Sequence, residues 1–183
     1  VAAPTAGACG VLPAVLVPYF QKRCRDTDKI LKAMYVAAGI GQIIATRSSI
    51  SGAAGGCQAE IGSASSMAAG ALTYLQGGNC EQIATAAAMA MKNLLGLVCD
   101  PVAGLVEVPC VKRNVIGTVN AMACADMAMA GIVSRIPPDQ VMDAMKEVGD
   151  KMDASLRETA LGGLAQTDEG MKIAEKMHAS YEN

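Results

Sequence analysis

The sequence has 183 residues, which is enough for one domain with a sizeable apolar core. Its formal net charge is −2 and its lysines and arginines are scattered, which argues against a nucleic-acid partner, and no apolar run has the length and composition of a membrane span. Aromatic residues make up only 3% of the chain, so small and aliphatic side chains must fill the core, a composition that favours closely packed helices.

The first ten residues, VAAPTAGACG, combine a proline with several glycines and predict a turn or loop. Beyond them, apolar residues recur at intervals of three and four, which is typical of helices, and Thr27 or Asp28 is the expected N-cap of the second helix. We expect a loop over 48–56 and an irregular, functional loop over 97–110. The predicted helices begin near residue 13 and then cover about 27–47, 57–76, 80–95, 112–134, 138–149 and 170–181. With no alternating strand pattern, the prediction is an all-α fold, a compact Ala- and Met-rich multi-helix domain.

Seven cysteines, an odd number with no secretory signal before them, favour a reducing cytoplasm over a disulfide framework. Three of them, Cys57, Cys99 and Cys110, lie at loops or helix starts flanked by Gly or Pro, where a lowered thiol pKa suits iron or zinc binding. By contrast, Cys124 lies in an apolar helical run and belongs to the predicted core, and Cys80 stands alone at a helix start. Because no CxxC pair occurs, the spacing alone leaves open that these thiols are simply buried small hydrophobes.

Four sequence blocks carry a resemblance to a known family. They are VAAPTAGACGVLPAVL (1–16), SGAAGGCQAEIGSASSMAA (51–69), CDPVAGLVEVPCVKRN (99–114) and RETALGGLA (157–165). In this order they resemble the alpha chain of the bacterial iron–sulfur L-serine dehydratases. The cluster-binding cysteines of that family occupy the GCQ, CDP and PCxxRN motifs. The resemblance therefore implies that Cys57, Cys99 and Cys110 bind a 4Fe–4S cluster.

The resemblance implies a helical catalytic domain with L-serine ammonia-lyase activity, which converts L-serine to pyruvate and ammonia. A four-iron cluster held by three thiolates leaves one iron open, and this iron is expected to activate the serine hydroxyl as a Lewis acid. A beta domain or beta subunit with an S-S-x-H-T-type motif is the implied partner, in an oligomeric cytoplasmic enzyme. We expect residues 1–183 to form a single helical domain, the C-terminal portion of the alpha-chain catalytic domain. Without an N-terminal segment and the beta domain, it is expected to be inactive alone.

Five residues near the family motifs are candidates for substrate binding. Thr5 and Gly7 could offer a hydroxyl and a backbone N–H to a carboxylate, although a helix-entry turn explains them equally well. Lys112, Arg113 and Asn114 lie two to four residues after Cys110. A cation there could hold the substrate carboxylate or neutralise the anionic cluster, and the alternative is a solvated helix start.

Other polar residues receive structural interpretations. Glu158 and Thr159 precede a glycine pair and are expected to cap a turn, with hydrogen bonds toward the cluster as the alternative. Glu60 lies in the first turn of a predicted helix and is expected to act on the helix dipole. His178 matches no family motif and is expected on the surface. The resemblance assigns the general base to no residue of this chain.

Two other functions stay open. A cysteine desulfhydrase or a threonine-preferring dehydratase could use the same fold, because residues outside this chain also set substrate choice. A non-catalytic helical assembly module with structural or zinc-binding cysteines is the second alternative.

Overall fold

The computed structural model describes residues 2–181, and within this range the fold is all-α, as predicted, with an isolated bridge between Cys99 and Arg157 as its β-type pairing. No helix in that range is long and apolar enough to cross a membrane. The α-helices are α1 (Val11–Lys22), α2 (Thr27–Arg47), α3 (Gly52–Gly55), α4 (Ser63–Leu75), α5 (Cys80–Lys92), α6 (Cys110–Met129), α7 (Pro138–Lys151) and α8 (Asp168–Tyr181).

Helix α4 is the centre of the fold, because it packs against α1, α2, α5 and α6. Its residues are small, so neighbouring backbones approach closely. A Cβ on Gly70 would lie 2.2 Å from Ile40 Cδ1 of α2, so any larger residue there would have to displace the Ile40 side chain. The buried hydroxyl of Ser65 donates to the carbonyl oxygen of Gly117 in α6 at 2.8 Å. Small residues and internal hydrogen bonds therefore let α4 be buried on most of its circumference.

The segment predicted as one helix over 57–76 is divided. A π-helical turn, Gln58–Gly62, precedes α4. Gln58 is buried and its amide is bonded at both ends: Nε2 donates to Met145 O at 3.0 Å, and Oε1 accepts from Gly96 N at 3.0 Å. These distant partners hold Gln58 in place, and π turns are frequent at functional sites.

Several predicted boundaries shift by a few residues. Asp26, not Thr27 or Asp28, caps α2, and its Oδ1 accepts from Lys29 N at 3.1 Å. The predicted helix over 112–134 begins at Cys110 and ends at Met129. It ends there because Gly131 adopts a positive φ of 86° and the chain turns back on the last carbonyls.

The remaining boundaries agree more closely. The predicted loop over 48–56 contains the single turn of α3, and α5 ends three residues before the expected Leu95. Helix α7 starts at Pro138 as predicted, and α8 begins two residues before the predicted 170. The loop over 97–110 is irregular as expected, with one short 3-10 turn, Val102–Gly104.

Candidate metal centre

The structure brings Cys57, Cys99 and Cys110 together from three separate elements. Cys57 lies between α3 and the π turn, Cys99 lies in the loop after α5, and Cys110 is the first residue of α6. All three are buried, with exposed fractions of 0%, 2% and 3%. Sγ of Cys57, Sγ of Cys99 and a carboxylate oxygen of Glu60 all lie within 4.8 Å of one another. We call these three cysteines, with Glu60 and Arg113, the cysteine pocket.

The backbone around each cysteine explains its position. Gly56 precedes Cys57 with a φ of +75°, and a Cβ there would lie 2.7 Å from Met152 Cε, so a side chain does not fit. The main chain of Cys99 is held by two hydrogen bonds of 2.8 Å, since its N–H donates to Leu156 O and its carbonyl accepts from Glu158 N. The block at 157–165 is thereby attached to the cysteine loop.

Arg113 supplies the positive charge of the pocket. Its Nη1 donates to Cys57 Sγ at 3.3 Å and to Val98 O at 2.7 Å, and its Nη2 donates to Asp100 Oδ1 at 2.9 Å. The side chains of Arg113 and Asp100 are only 12% and 5% exposed. Three of the five N–H donors of the guanidinium are therefore engaged by groups of the protein, which favours the charge-neutralising role over the substrate-binding role considered for it.

The three thiols share their charge unequally. Hydrogen bonds from Cys110 and Cys99, together with the Arg113 guanidinium, lower the pKa of Cys57 to about 3 although burial opposes this shift. The pKa of Cys99 and that of Cys110 are raised above the ordinary thiol value. The main cause is the hydrogen bond to Cys57, and burial is the second cause. Ionisation is therefore favoured at Cys57 over Cys99 and Cys110. A bound metal would replace the protons that the thiols retain.

Glu60 is a member of the pocket that the sequence analysis missed. Its Oε1 accepts from the Thr5 hydroxyl at 2.7 Å, and burial raises the pKa of its carboxyl. A Cβ on Gly7 or Gly52 would lie 3.0 or 3.1 Å from Glu60 Oε2, so glycines provide the space for this carboxylate. Its position three residues after Cys57, on the same helical face, was the signal that could have placed it here.

Asp100 was also missed, although it directly follows Cys99. It is buried, and its Oδ2 accepts from Leu164 N at 2.9 Å while Oδ1 accepts from Arg113. The CDP motif places an aspartate directly after a candidate ligand, and this was the available signal. Its partners, however, lie 13 and 64 positions away in the chain.

The candidate substrate-binding residues occupy different surroundings. Asn114 joins α6 to the N-terminal loop, because its Nδ2 donates to Gly7 O at 2.7 Å and its Oδ1 accepts from Gly10 N at 3.0 Å. Thr5 and Gly7 lie beside the cysteine pocket, because both are next to the Glu60 carboxylate. Lys112 is exposed, and within residues 2–181 its side chain makes no hydrogen bond or ion pair.

Thr159 and His178 agree with their structural interpretations, whereas Glu158 acts on the pocket through its charge. The Thr159 hydroxyl donates to Ala154 O at 2.9 Å, which closes a turn as expected. Glu158 has a positive φ of 64°, and its charge acts on Cys99 and Glu60. His178 is exposed, as predicted.

Two cysteines outside the pocket also occupy the expected places. Cys124 lies in the core, where burial raises its pKa to about 11, and it accepts a hydrogen bond from Asn93 Nδ2 at 3.5 Å. Cys80 is exposed at the start of α5.

The donor set suits a metal or cluster that prefers sulfur. Thiolates select iron–sulfur clusters and zinc, and the three thiols of the pocket are buried beside an N–H donor to sulfur. Among the described residues, Cys57, Cys99 and Glu60 form the group whose ligand atoms all lie within 4.8 Å of one another, and Cys110 contacts Cys57 from outside this group. Thiols beside a carboxylate suit a metal or cluster that is bound mainly through sulfur.

Comparison with known proteins connects this arrangement to one family. The family model described as serine dehydratase alpha chain matches residues 1–165, which include the whole cysteine pocket. A Bacillus subtilis (strain 168) protein named probable L-serine dehydratase, alpha chain, is 54% identical over 176 residues, 96% of this chain and 59% of the relative. The L-serine dehydratase, alpha chain, of Peptoniphilus asaccharolyticus is 51% identical over 173 residues, 94% of this chain and 59% of the relative.

A longer relative contains the same region. L-serine dehydratase TdcG of Escherichia coli (strain K12) is 48% identical over 167 residues, which are 90% of this chain and 37% of that protein. The chain thus spans 59% of the length of the Bacillus and Peptoniphilus relatives and a smaller share of the Escherichia coli protein.

Proposed function

The chain belongs to the serine dehydratase alpha chain family, and we propose that it supplies the cofactor-binding part of an L-serine ammonia-lyase, which forms pyruvate and ammonia. The observation that carries this proposal is the convergence of Cys57, Cys99 and Cys110 in one buried pocket with a guanidinium on Cys57 Sγ. Each cysteine lies in a sequence block that matches the family. A shared fold alone would be a weaker basis, because function depends on the site.

Cys57, Cys99 and Cys110 are the proposed ligands of a 4Fe–4S cluster. When bound through three thiolates, such a cluster supplies an iron with an open position that serves as a Lewis acid. The protein contributes burial, which excludes water from the thiolates, and Arg113, whose charge offsets theirs.

The N-terminal loop is the proposed contact for the substrate. The Thr5 hydroxyl donates to Glu60 and keeps its own lone pairs for another donor, and the Gly7 N–H makes no hydrogen bond within residues 2–181. Thr5 and Gly7 could therefore contact serine, with Asn114 holding the loop against α6. Lys112, exposed in the first turn of α6, is available to the substrate or to a partner.

A partner polypeptide completes the proposed enzyme. On the outer face of α6, Val111, Val115 and Val119 follow one another at four-residue spacing and are 57–61% exposed. Such a stripe suits a surface that another domain covers. We assign the partner to a beta domain or beta subunit and place the oligomeric enzyme in the cytoplasm, with residues 1–183 inactive alone.

Anaerobic reconstitution tests the proposal. The protein, alone and with its beta partner, is supplied with iron and sulfide and assayed for pyruvate from serine, cysteine and threonine. We expect bound iron and acid-labile sulfide, with serine turnover only in the presence of the partner. Cys57→Ser should abolish cluster binding, whereas Cys124→Ser, a matched change of a core cysteine, should leave it intact.

The outcomes separate the alternatives. If the enzyme converted cysteine or threonine but not serine, the proposed substrate would be wrong and the proposed cofactor would still stand. In the zinc alternative, a carboxylate oxygen of Glu60 could be the fourth ligand beside the three thiolates. Stoichiometric zinc with no iron–sulfide binding would therefore favour the non-catalytic module and contradict the proposal.

A further inference from the structure

The carboxylate of Asp100 holds two parts of the molecule at once. Its side chain is 5% exposed, and each oxygen has its own donor at 2.9 Å: Arg113 Nη2 on Oδ1 and Leu164 N on Oδ2. A Cβ on Gly163 would lie 2.5 Å from Oδ2, and Gly163 has a positive φ of 62°. The chain at 163–164 therefore rests directly on this carboxylate.

The first contact orients the guanidinium. Because the guanidinium is planar and rigid, fixing Nη2 on Asp100 determines where Nη1 points. Nη1 donates to Cys57 Sγ at 3.3 Å and to Val98 O at 2.7 Å. Asp100 thus controls, through Arg113, the hydrogen bond to the sulfur of Cys57.

The second contact closes a segment against the cysteine loop. Residues 156–158 pair with the main chain of Cys99, and the Leu164 N–H donates to the Asp100 carboxylate. The paired residues include Glu158, whose charge acts on Cys99. Residues 156–164 are therefore attached at both ends to two consecutive residues of the loop, Cys99 and Asp100.

We propose that Asp100 is a positioning residue that fixes Arg113 on Cys57 Sγ and anchors residues 163–164, so that metal binding in the cysteine pocket and ordering of residues 156–164 depend on one carboxylate. This inference rests on the proposed function only for the identity of the bound cofactor. The geometry requires two acceptor oxygens on one side chain, one for each donor. Asparagine has the same shape and only one such oxygen.

Three variants and a control test this inference in the intact protein with its partner. Asp100→Asn can serve either Arg113 or Leu164, so we expect metal affinity to fall about 10–100-fold and the Leu164 amide to exchange faster. Arg113→Lys should weaken metal binding by a similar factor and leave Leu164 protected. Gly163→Ala should speed the exchange of Leu164 without changing a charge. Asp143→Asn, which breaks an exposed pair with Arg47, should change neither.

The measurements are loss of iron and sulfide to a chelator, a Cd²⁺ titration of the metal-free protein, the cluster reduction potential, and amide hydrogen exchange at Leu164. Unchanged metal retention and unchanged Leu164 exchange in Asp100→Asn would overturn the inference. So would an Arg113→Lys variant that frees Leu164 as fully as Asp100→Asn does. If Asp100→Asn fails to fold, Arg113→Lys tests the contact between Asp100 and the guanidinium, and Gly163→Ala tests the contact between Asp100 and residues 163–164.

Failure of the proposed function gives a different result. A wild-type protein that binds its cluster and, together with its beta partner, does not convert serine would refute the function, while the variants would still test Asp100. If serine is converted and all variants resemble the wild type, only the inference about Asp100 fails.

Discussion

Two arginine–aspartate pairs of nearly equal length serve different purposes in this molecule. Arg113 and Asp100 meet at 2.9 Å in the cysteine pocket, and Arg47 and Asp143 meet at 2.8 Å where the end of α2 faces α7. The side chains of the first pair are 12% and 5% exposed, those of the second 37% and 56%. Solvent weakens the second pair, whereas burial makes the first costly to separate.

The buried pair is also more completely bonded. Arg113 has two further acceptors, Val98 O and Cys57 Sγ, and Asp100 has a further donor, Leu164 N. A buried charge needs such additional partners, because water does not supply them. The comparison shows that an ion pair acquires a positioning role when its remaining hydrogen bonds reach a functional group.

The largest effect is expected from removing one partner of each pair. Arg113→Ala leaves Asp100 buried without its counter-charge, and we expect a loss of about 3–5 kcal/mol in the free energy of unfolding. Arg47→Ala removes the exposed partner and should change stability little. Urea unfolding followed by circular dichroism measures both. Equal losses in the two variants would contradict the comparison.

The second effect concerns pH and extends the comparison to the thiols. The pKa of Cys57 falls from its ordinary value of 9.0 to about 3 in the folded protein, so below pH 9 folding releases a proton from this thiol. The resulting stability is complete above pH 9 and is lost as the pH falls toward 3. We expect the metal-free protein to become more stable with rising pH between about 6 and 8, by up to about 1.4 kcal/mol per pH unit.

Two cysteine variants check the origin of that slope. Cys57→Ser should remove it. Cys124→Ser should retain it, because burial raises the pKa of Cys124 to about 11 and this thiol stays protonated throughout the range. Urea unfolding at several pH values gives the slopes. An unchanged slope in Cys57→Ser would show that a different group carries the charge.

The smallest effect is expected from two threonine hydroxyls. Thr5→Val removes the donor to the half-buried Glu60, which should cost about 1–2 kcal/mol and raise the pKa of Glu60 further. Thr46→Val removes an exposed hydroxyl that donates to Gln42 O within α2 and should cost less. Thermal unfolding of the pair provides the comparison. A larger loss in Thr46→Val would contradict it.

Most of the helices could be predicted because their signals are local. In α5, Asn79 and Gln82 form a capping box three residues apart, and in α7 Pro138 occupies the first turn. The π turn could not be predicted. Gln58 is held by Gly96 and Met145, which only the folded chain brings to it.

The candidate site was predictable to a similar extent. The local settings and family motifs of Cys57, Cys99 and Cys110 singled them out before the structure placed them together. Glu60 and Asp100 received other roles or none, because their partners lie elsewhere in the chain.

The sequence by itself determined the helical fold class and the family, and it singled out the three cysteines as candidate ligands. Each of these depends on neighbouring residues or on short motifs. The tertiary structure alone decided how charge is distributed around those cysteines. Arg113 reaches Cys57 across 56 positions, and Leu164 reaches Asp100 across 64. Contacts over such separations form only when packing has brought the elements together, and burial then gives them their strength.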